Sequence, residues 1–468
     1  MTTLEHVLTP PPADDVISAE PTKAFFVDML VRDIALIPAV VDLVDNAVDE
    51  ARRRRPEGSY VGLTVLVEAD ASRFRIRDNC GGMSLDTARN YAFRFGRNPD
   101  RPAGGHTIGQ FGVGMKRTLF KIGQSFRVEA ETREDEFVLE VDVNDWLASP
   151  AWSFPLASHR AFTGAELEGR PADQGHTDIV VTNLHADVAG DMGREEWQTE
   201  LALELRSKHR RAIENGLTMT VGSTVLAVEM LDVLSGDKVR PQLVRRTYGT
   251  GPTSVAATFL CGLGPPVSDE SGWYVFCNGR LILGPDTGRP TGWGRKVTGV
   301  RRLPRWHEQY NRFRGHVMLE CDNPAALPWN TTKTALDEDS PIWRNCLVVM
   351  AGMARTVVDY LNVLDRARFG QEAGDAAAQD EDEQEVADTA VALIERSAVR
   401  SVTTVLAEEE SDFVAPAIDT SLLPEAEGRV SYKRTLADIA RAKELLNVTT
   451  NVQVGHATFD YFLQAEDG

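Results

Sequence analysis

The chain has 468 residues, enough for about three domains of ordinary size. Its 42% hydrophobic and 26% charged residues are the balance of a globular protein with real cores. The net charge of −20 excludes indiscriminate coating of nucleic acid or of an anionic membrane, while leaving room for a local basic patch. No apolar run approaches the ~20 residues that span a bilayer, so no membrane is expected. The N-terminus, MTTLEHVLTPPPADD, lacks the cationic-then-apolar pattern of a secretory signal. Cys80, Cys261, Cys277, Cys321 and Cys346 are scattered without a CxxC pair. That disfavours zinc and a disulfide framework, and a reducing cytoplasm fits.

In chain order, residues 1–20 read as a flexible arm with a Pro-Pro-Pro run. A first folded region, 21–195, mixes helices and strands. Its stretch IPAVVDLVDNAVDEA, from Ile37 to Ala51, reads as a helix. At about 100° per residue, Val40, Val44, Val48 and Ala51 share one face, while Asp42, Asn46 and Asp49 share the opposite one. That acidic face repels itself unless water, a cation or a ligand compensates it; a solvated face is the plain alternative. YVGLTVLVEA and RFRIRD read as strands flanking a turn, and DEFVLEVDVND and HTDIVVTNL as two more. Between them, GRNPDRPAGGHTIGQFGVGMK is too long for a simple turn and is a candidate functional loop. REEWQTELALELRSKHRRAIENG reads as a helix leading into a second α/β region, 196–368, with strands TMTVGSTVLAVEML, WYVFCNGRLIL and GHVMLECD. Residues 369–415 hold an acidic, Ala-rich stretch expected to be a linker or a solvated helix. Residues 416–468 form a small helical module around SYKRTLADIARAKELLNV.

Three signals follow one another. The acidic helix comes first. RIRDNCGGMS then carries a strand straight into Asp78-Asn79-Cys80-Gly81-Gly82-Met83, and IGQFGVGMK sets Gly109, Gly112, Val113 and Gly114 before a helix. A lone glycine-rich turn is weak evidence; the three in this order are specific. Carboxamide and carboxylates on one helix face are hard oxygen ligands for Mg²⁺. Glycines ahead of a helix let backbone N–H groups close on phosphates. A carboxylate at a strand end can accept a hydrogen bond from an adenine amino group.

The combination resembles the GHKL superfamily of ATPases: gyrase B, MutL, the heat-shock chaperone of this fold, histidine kinases and MORC proteins. DNAVDEA looks like the gyrase B form of the first motif, IGQFGVG like the chaperone form of the third, and the following Lys116 like MORC. GHTDIVV, Gly175 to Val181, is similar to the fourth. The resemblance implies an α+β fold: a Bergerat-type ATP-binding α/β sandwich, then a transducer-like α/β domain and a small helical C-terminal module. It implies ATP and Mg²⁺, with Asn46 on the metal, Asp49 near the nucleotide, and Asp78 reading adenine with Thr177 beside it. Gly82, next to Met83, would make room for the ring. Gly109, Gly112, Val113 and Gly114 would cradle phosphates ahead of Lys116, under a lid from about 85 to 108. Asp42 stands where the family's water-activating Glu is usual. The carboxylate keeps general-base chemistry open, but its shorter reach matters, since a shift of ~1 Å can cost on the order of 10²-fold in rate. Slow hydrolysis, or a nucleotide-gated switch, is the expectation. Cys80, often glycine in the family, must point away from the base.

YVFCNGRLI resembles the FVNGR strand of the MutL-type transducer, and LPWNTTKTALD places Lys333 where a lysine of gyrase B and MutL reaches the γ-phosphate. A cation there both stabilises charge and reports the phosphate. The MutL and MORC branches imply ATP-driven homodimer closure as a clamp, with roles in bacterial genome maintenance or phage defence. Arg295, Lys296, Arg301, Arg302, Arg305, Arg312 and Arg314, interleaved with Trp306, Tyr310 and Phe313, form a candidate contact for duplex DNA. The alternative for that segment is structural: core aromatics, with arginines paired to carboxylates. No nuclease signature is visible, so any cutting falls to a partner effector or nuclease subunit. A chaperone-like remodeller or signalling switch with a protein client is the alternative function.

Overall fold

The computed structural model describes residues 21–32, 34–95, 108, 114–330, 332–369, 389–418 and 433–466. The chain divides into two compact units, Met1–Thr420 and Ser421–Gly468.

The first unit opens with α1 (Lys23–Arg32) and α2 (Leu36–Arg54). The buried Lys23 Nζ donates to the carbonyls of Trp146, Ser149 and Ala151 at 2.6, 2.6 and 2.7 Å. It thereby anchors α1 to the orphan carbonyls at a helix C-terminus. β1 (Thr64–Ala69) and β2 (Arg73–Asp78) follow, then α3 (Leu85–Thr87), a π-helical turn (Ala88–Ala92) and α4 (Gly114–Ile122). Next come β3 (Gly123–Glu131), β4 (Asp135–Asp142), α5 (Val143–Ala148), β5 (Leu156–Ala161), α6 (Gly164–Gly169) and β6 (His176–Leu184). α7 (Ala186–Met192), α8 (Glu195–Lys208), α9 (Arg210–Glu214), β7 (Thr218–Val221) and β8 (Thr224–Val225) complete this part. Its strands form one eight-stranded sheet in the order β5-β4-β3-β6-β2-β1-β7-β8. Alternation buries Val65 and Val67 of β1 and Phe74, Ile76 and Asp78 of β2. α2 packs on α4 and α8, and Thr118 Oγ1 ties α4 to the Ala39 carbonyl at 2.7 Å.

The stretch TMTVGSTVLAVEML does not belong with the second region. β7 runs parallel to β1, with Val67 opposite Val221, because its buried Met219 and Val221 fill the first core. The helix read over REEWQTELALELRSKHRRAIENG breaks at His209 into α8 and α9.

The second sheet has five strands, β10 (Gln242–Tyr248), β11 (Val255–Leu263), β12 (Gly272–Cys277), β13 (Arg280–Asp286) and β14 (Phe313–Glu320), in the order β10-β11-β14-β12-β13. WYVFCNGRLIL is a hairpin and not one strand. Asn278 and Gly279 have φ of 44° and 75°, the left-handed pair that a two-residue hairpin turn requires. α10 (Pro341–Phe369) is long and apolar enough to cross a bilayer by length and composition. Its Trp343, Cys346, Met350, Ala354, Val357 and Val358 are nevertheless buried in the core. Part of the expected linker is folded: β15 (Val399–Ser401) pairs with β9 (Asp232–Leu234), and Ser411 and Val414 bridge to Leu243 and Arg240. Buried Val402 and Val405 supply the apolar contact that an acidic composition concealed.

In the second unit, helix Leu436–Leu446 is capped by Thr435, which accepts from Asp438 N, and ends at Asn447 with φ of 53°. It is followed by helix Asn451–Glu466, and Leu436, Leu445, Val452, Phe459 and Tyr461 are exposed.

Candidate nucleotide site

The acidic face of α2 is not solvated. Asp42, Asp45 and Asp49 are buried, while Asn46 is exposed. Buried carboxylates need partners, and distant elements supply them. Arg117, on α4, bonds Asp42 Oδ2. Lys333 Nζ lies 3.1 Å from Asp42 Oδ1 and 2.7 Å from Asp45 Oδ2. Arg280, first residue of β13, lies 3.3 Å from Asp42 Oδ1 and bonds Asp45 Oδ2. His209 Nε2, at the α8–α9 break, is 3.6 Å from Asp45 Oδ1. Burial alone would push the Asp45 carboxyl up, but Arg280 and Lys333 outweigh it and hold it below the usual range. Burial drives the His209 ring down to about 4. Lys333 has φ of 52°, a strained backbone for a lysine that the Asn330–Ala335 turn imposes.

Asp49 Oδ1 accepts the Ile108 N–H at 2.7 Å, so this carboxylate fixes the residue just ahead of Gly109. Gly114 opens α4 beside Asp42, and a Cβ there would sit 3.5 Å from Asp42 Oδ2. Gly109, Gly112, Val113 and 96–107 of the lid lie outside the described residues, as does the 1–20 arm.

At the other end, Asp78 closes β2 opposite Thr177 of β6. Both are 8% exposed. Asp78 Oδ1 accepts the Cys80 N–H at 2.9 Å, and burial pushes its carboxyl up to about 7. Cys80 is fully buried and burial raises its thiol, so it is inert. The expectation for Gly82 changes. Its φ is 74° and an added Cβ would meet the Glu131 carbonyl at 1.9 Å, so close backbone contact by itself requires glycine here. Met83 is half-buried against the core. Lys116 is 1% exposed, with Nζ donating to the Ala92 carbonyl at 2.5 Å and burial pulling it down to about 7. It holds the end of the π-helical turn.

The structure therefore gathers Asp42, Lys333 and Gly114 at one place and Asp78 with Thr177 at another. The sequence reading omitted Arg117, Asp45, His209 and Arg280. Arg280 and Asp45 stood inside quoted stretches; Arg117 and His209 carried no local signal.

The basic segment turns inward. Trp306, Tyr310 and Phe313 pack on Trp293 at centroid distances of 4.7, 5.7 and 5.2 Å. Arg295 pairs with Glu338, Arg301 with Asp359, Arg312 with Glu395 and the buried Arg314 with Glu270. Arg302 donates to the Gly294 carbonyl. Tyr310 and Phe313 are buried and Trp306 is half-buried, while Lys296, Arg301, Arg302 and Arg305 are exposed.

No curated protein matches the chain. Residues 34–167 match the family model described as histidine kinase-, DNA gyrase B-, and HSP90-like ATPase, which supports an ATPase domain of the GHKL type in this part of the chain.

Proposed function

We propose that the chain binds Mg-ATP between Asp78 and the Asp42–Lys333 cluster and uses it to couple the two sheets, as a slow ATPase or a nucleotide-gated switch. One observation carries this reading: Lys333, which follows the second sheet, bonds the α2 carboxylates of the ATPase-like region directly. The donor set fits the ligand. Asp78 is a buried acceptor at a strand end, Asn46 an exposed carboxamide on α2, and the α4 N-terminus lies beside Asp42 at Gly114. Asn46 would hold Mg²⁺, which takes few protein ligands and leaves the rest to phosphates and water. The ion supplies charge neutralisation on the phosphates. Asp42 is the base: a water must reach Oδ1, which Lys333 and Arg280 now occupy. Movement of Lys333 onto the terminal phosphate takes one of the two cations off that oxygen and pulls on the second sheet at the same moment.

The finer reading is a MutL- or MORC-like clamp in which ATP closes two chains into a homodimer. The inward-facing aromatics of 306–313 favour a protein client over a DNA grip at that segment. ATP turnover by wild type, Asp42→Asn and Asp42→Glu, with and without duplex DNA, tests this. Turnover abolished by Asp42→Asn supports Asp42 as base. Binding without turnover, restored by Asp42→Glu, supports the switch. No ATP binding by wild type overturns the reading. A steep salt-dependent DNA stimulation would bring back the DNA client.

A further inference from the structure

Two cations from different elements end on the same two carboxylate oxygens. Lys333 Nζ is 3.1 Å from Asp42 Oδ1 and bonds Asp45 Oδ2. Arg280 Nη1 is 3.3 Å from that same Asp42 Oδ1 and bonds that same Asp45 Oδ2. With Arg117 on Asp42 Oδ2, three cations meet two carboxylates, and all five side chains are 11% exposed or less. His209 is held neutral by burial, and Lys208 close by is offset by Glu204 at 3.6 Å. Among the described residues, Arg117, Arg280 and Lys333 thus surround Asp42 and Asp45, with the buried Asp49 one turn further along the same helix. The α4 N-terminus at Gly114 faces Asp42 and adds the positive end of its dipole. Among the described residues, Arg280 Nε has no hydrogen-bond partner.

The backbone aims Arg280 in advance. It leaves the Asn278-Gly279 turn, where Asn278 exchanges hydrogen bonds with Cys321 at 3.0 and 2.9 Å and its carbonyl accepts from Arg52 at 2.8 Å. A guanidinium on so fixed a stem loses little freedom when it changes partners.

We propose that Arg280 is a second contact for the terminal phosphate of the nucleotide, held beside Lys333 on Asp42 and Asp45 until that phosphate arrives. Asp45 is its positioning residue. The proposal rests on the Mg-ATP reading above. Its consequence is selectivity: ATP engages both cations and frees Asp42 Oδ1, whereas ADP reaches neither.

Titration calorimetry of the full chain with a nonhydrolysable ATP analogue and with ADP, each with Mg²⁺, tests this. Arg280→Gln is expected to weaken the analogue on the order of 10- to 100-fold, the size of a charge-assisted hydrogen bond, and to leave ADP within about twofold. Arg280→Gln leaves the Asp45 carboxylate with Lys333 as its remaining hydrogen-bonded cation, so Asp45→Asn/Arg280→Gln, a neutral pair, carries the same test if the single variant fails to fold. Equal loss for both nucleotides in a folded variant, or no loss for either, makes Arg280 a structural tie and overturns the proposal. Binding of neither nucleotide by wild type overturns the Mg-ATP reading itself and this proposal with it.

Discussion

Lys333 Nζ and Asp45 Oδ2 lie 2.7 Å apart although 288 residues separate them in the chain. The contact ties the turn after the second sheet to the central helix of the first, so any ligand that draws Lys333 away is felt by both.

Lys333→Ala removes one of the cations that Asp42 and Asp45 share. Arg280 remains, so the loss is that of one charge-assisted hydrogen-bonding group, about 1.5–3 kcal/mol. Urea unfolding should show this cost. The same variant should lose its preference for an ATP analogue over ADP.

Asp78→Asn should stabilise the apoprotein and abolish nucleotide binding. Burial raises the folded-state carboxyl to about 7, above its unfolded value. The native state therefore holds a proton that the unfolded state gives up, and the contribution of Asp78 to stability falls as pH rises from about 4 to about 7. The carboxamide of the variant carries no such charge. Its melting temperature should exceed that of wild type at pH 8, and the gap should shrink toward pH 4. A gap independent of pH would contradict the assignment.

Gly82→Ala should be severe. The added Cβ would sit 1.9 Å from the Glu131 carbonyl, and the φ of 74° is left-handed. No side chain can give way there, because the obstacle is backbone. A loss of more than about 3 kcal/mol, read as falling soluble yield and melting temperature, is expected.

Trp306→Ala should act on stability before it acts on nucleic acid. Its ring packs edge-on against Trp293 at 4.7 Å. Truncating a large packed aromatic costs about 3–5 kcal/mol when it is fully buried, and somewhat less for this half-buried one. A variant with unchanged stability and lost DNA binding would instead put Trp306 in a nucleic-acid interface.

Much of this molecule was legible in the order of its residues. Val40, Val44, Val48 and Ala51 repeat at helical spacing, so α2 could be read with its buried face. RFRIRD and HTDIVVTNL alternate with a period of two, so β2 and β6 could be read as strands, though not as neighbours. Asp78, at the end of one strand, was visible as an acceptor for the same reason. These are short-range signals: a few residues decide them. What only the tertiary structure decided is the state of the charges. Asp42 and Asp49 looked like a face for water or metal, and Asp45 between them was given no role at the site. Arg117, Arg280 and Lys333, brought from 75 to 291 residues away, made Asp42 and Asp45 a closed ion cluster. The arginines of 295–314 looked like a patch for phosphates until Glu338, Asp359, Glu395 and Glu270 arrived to pair with four of them. Periodicity records which side of an element meets apolar neighbours. It holds no record of which distant charge will meet a carboxylate, because that pairing depends on how the sheets dock and not on the spacing within either one.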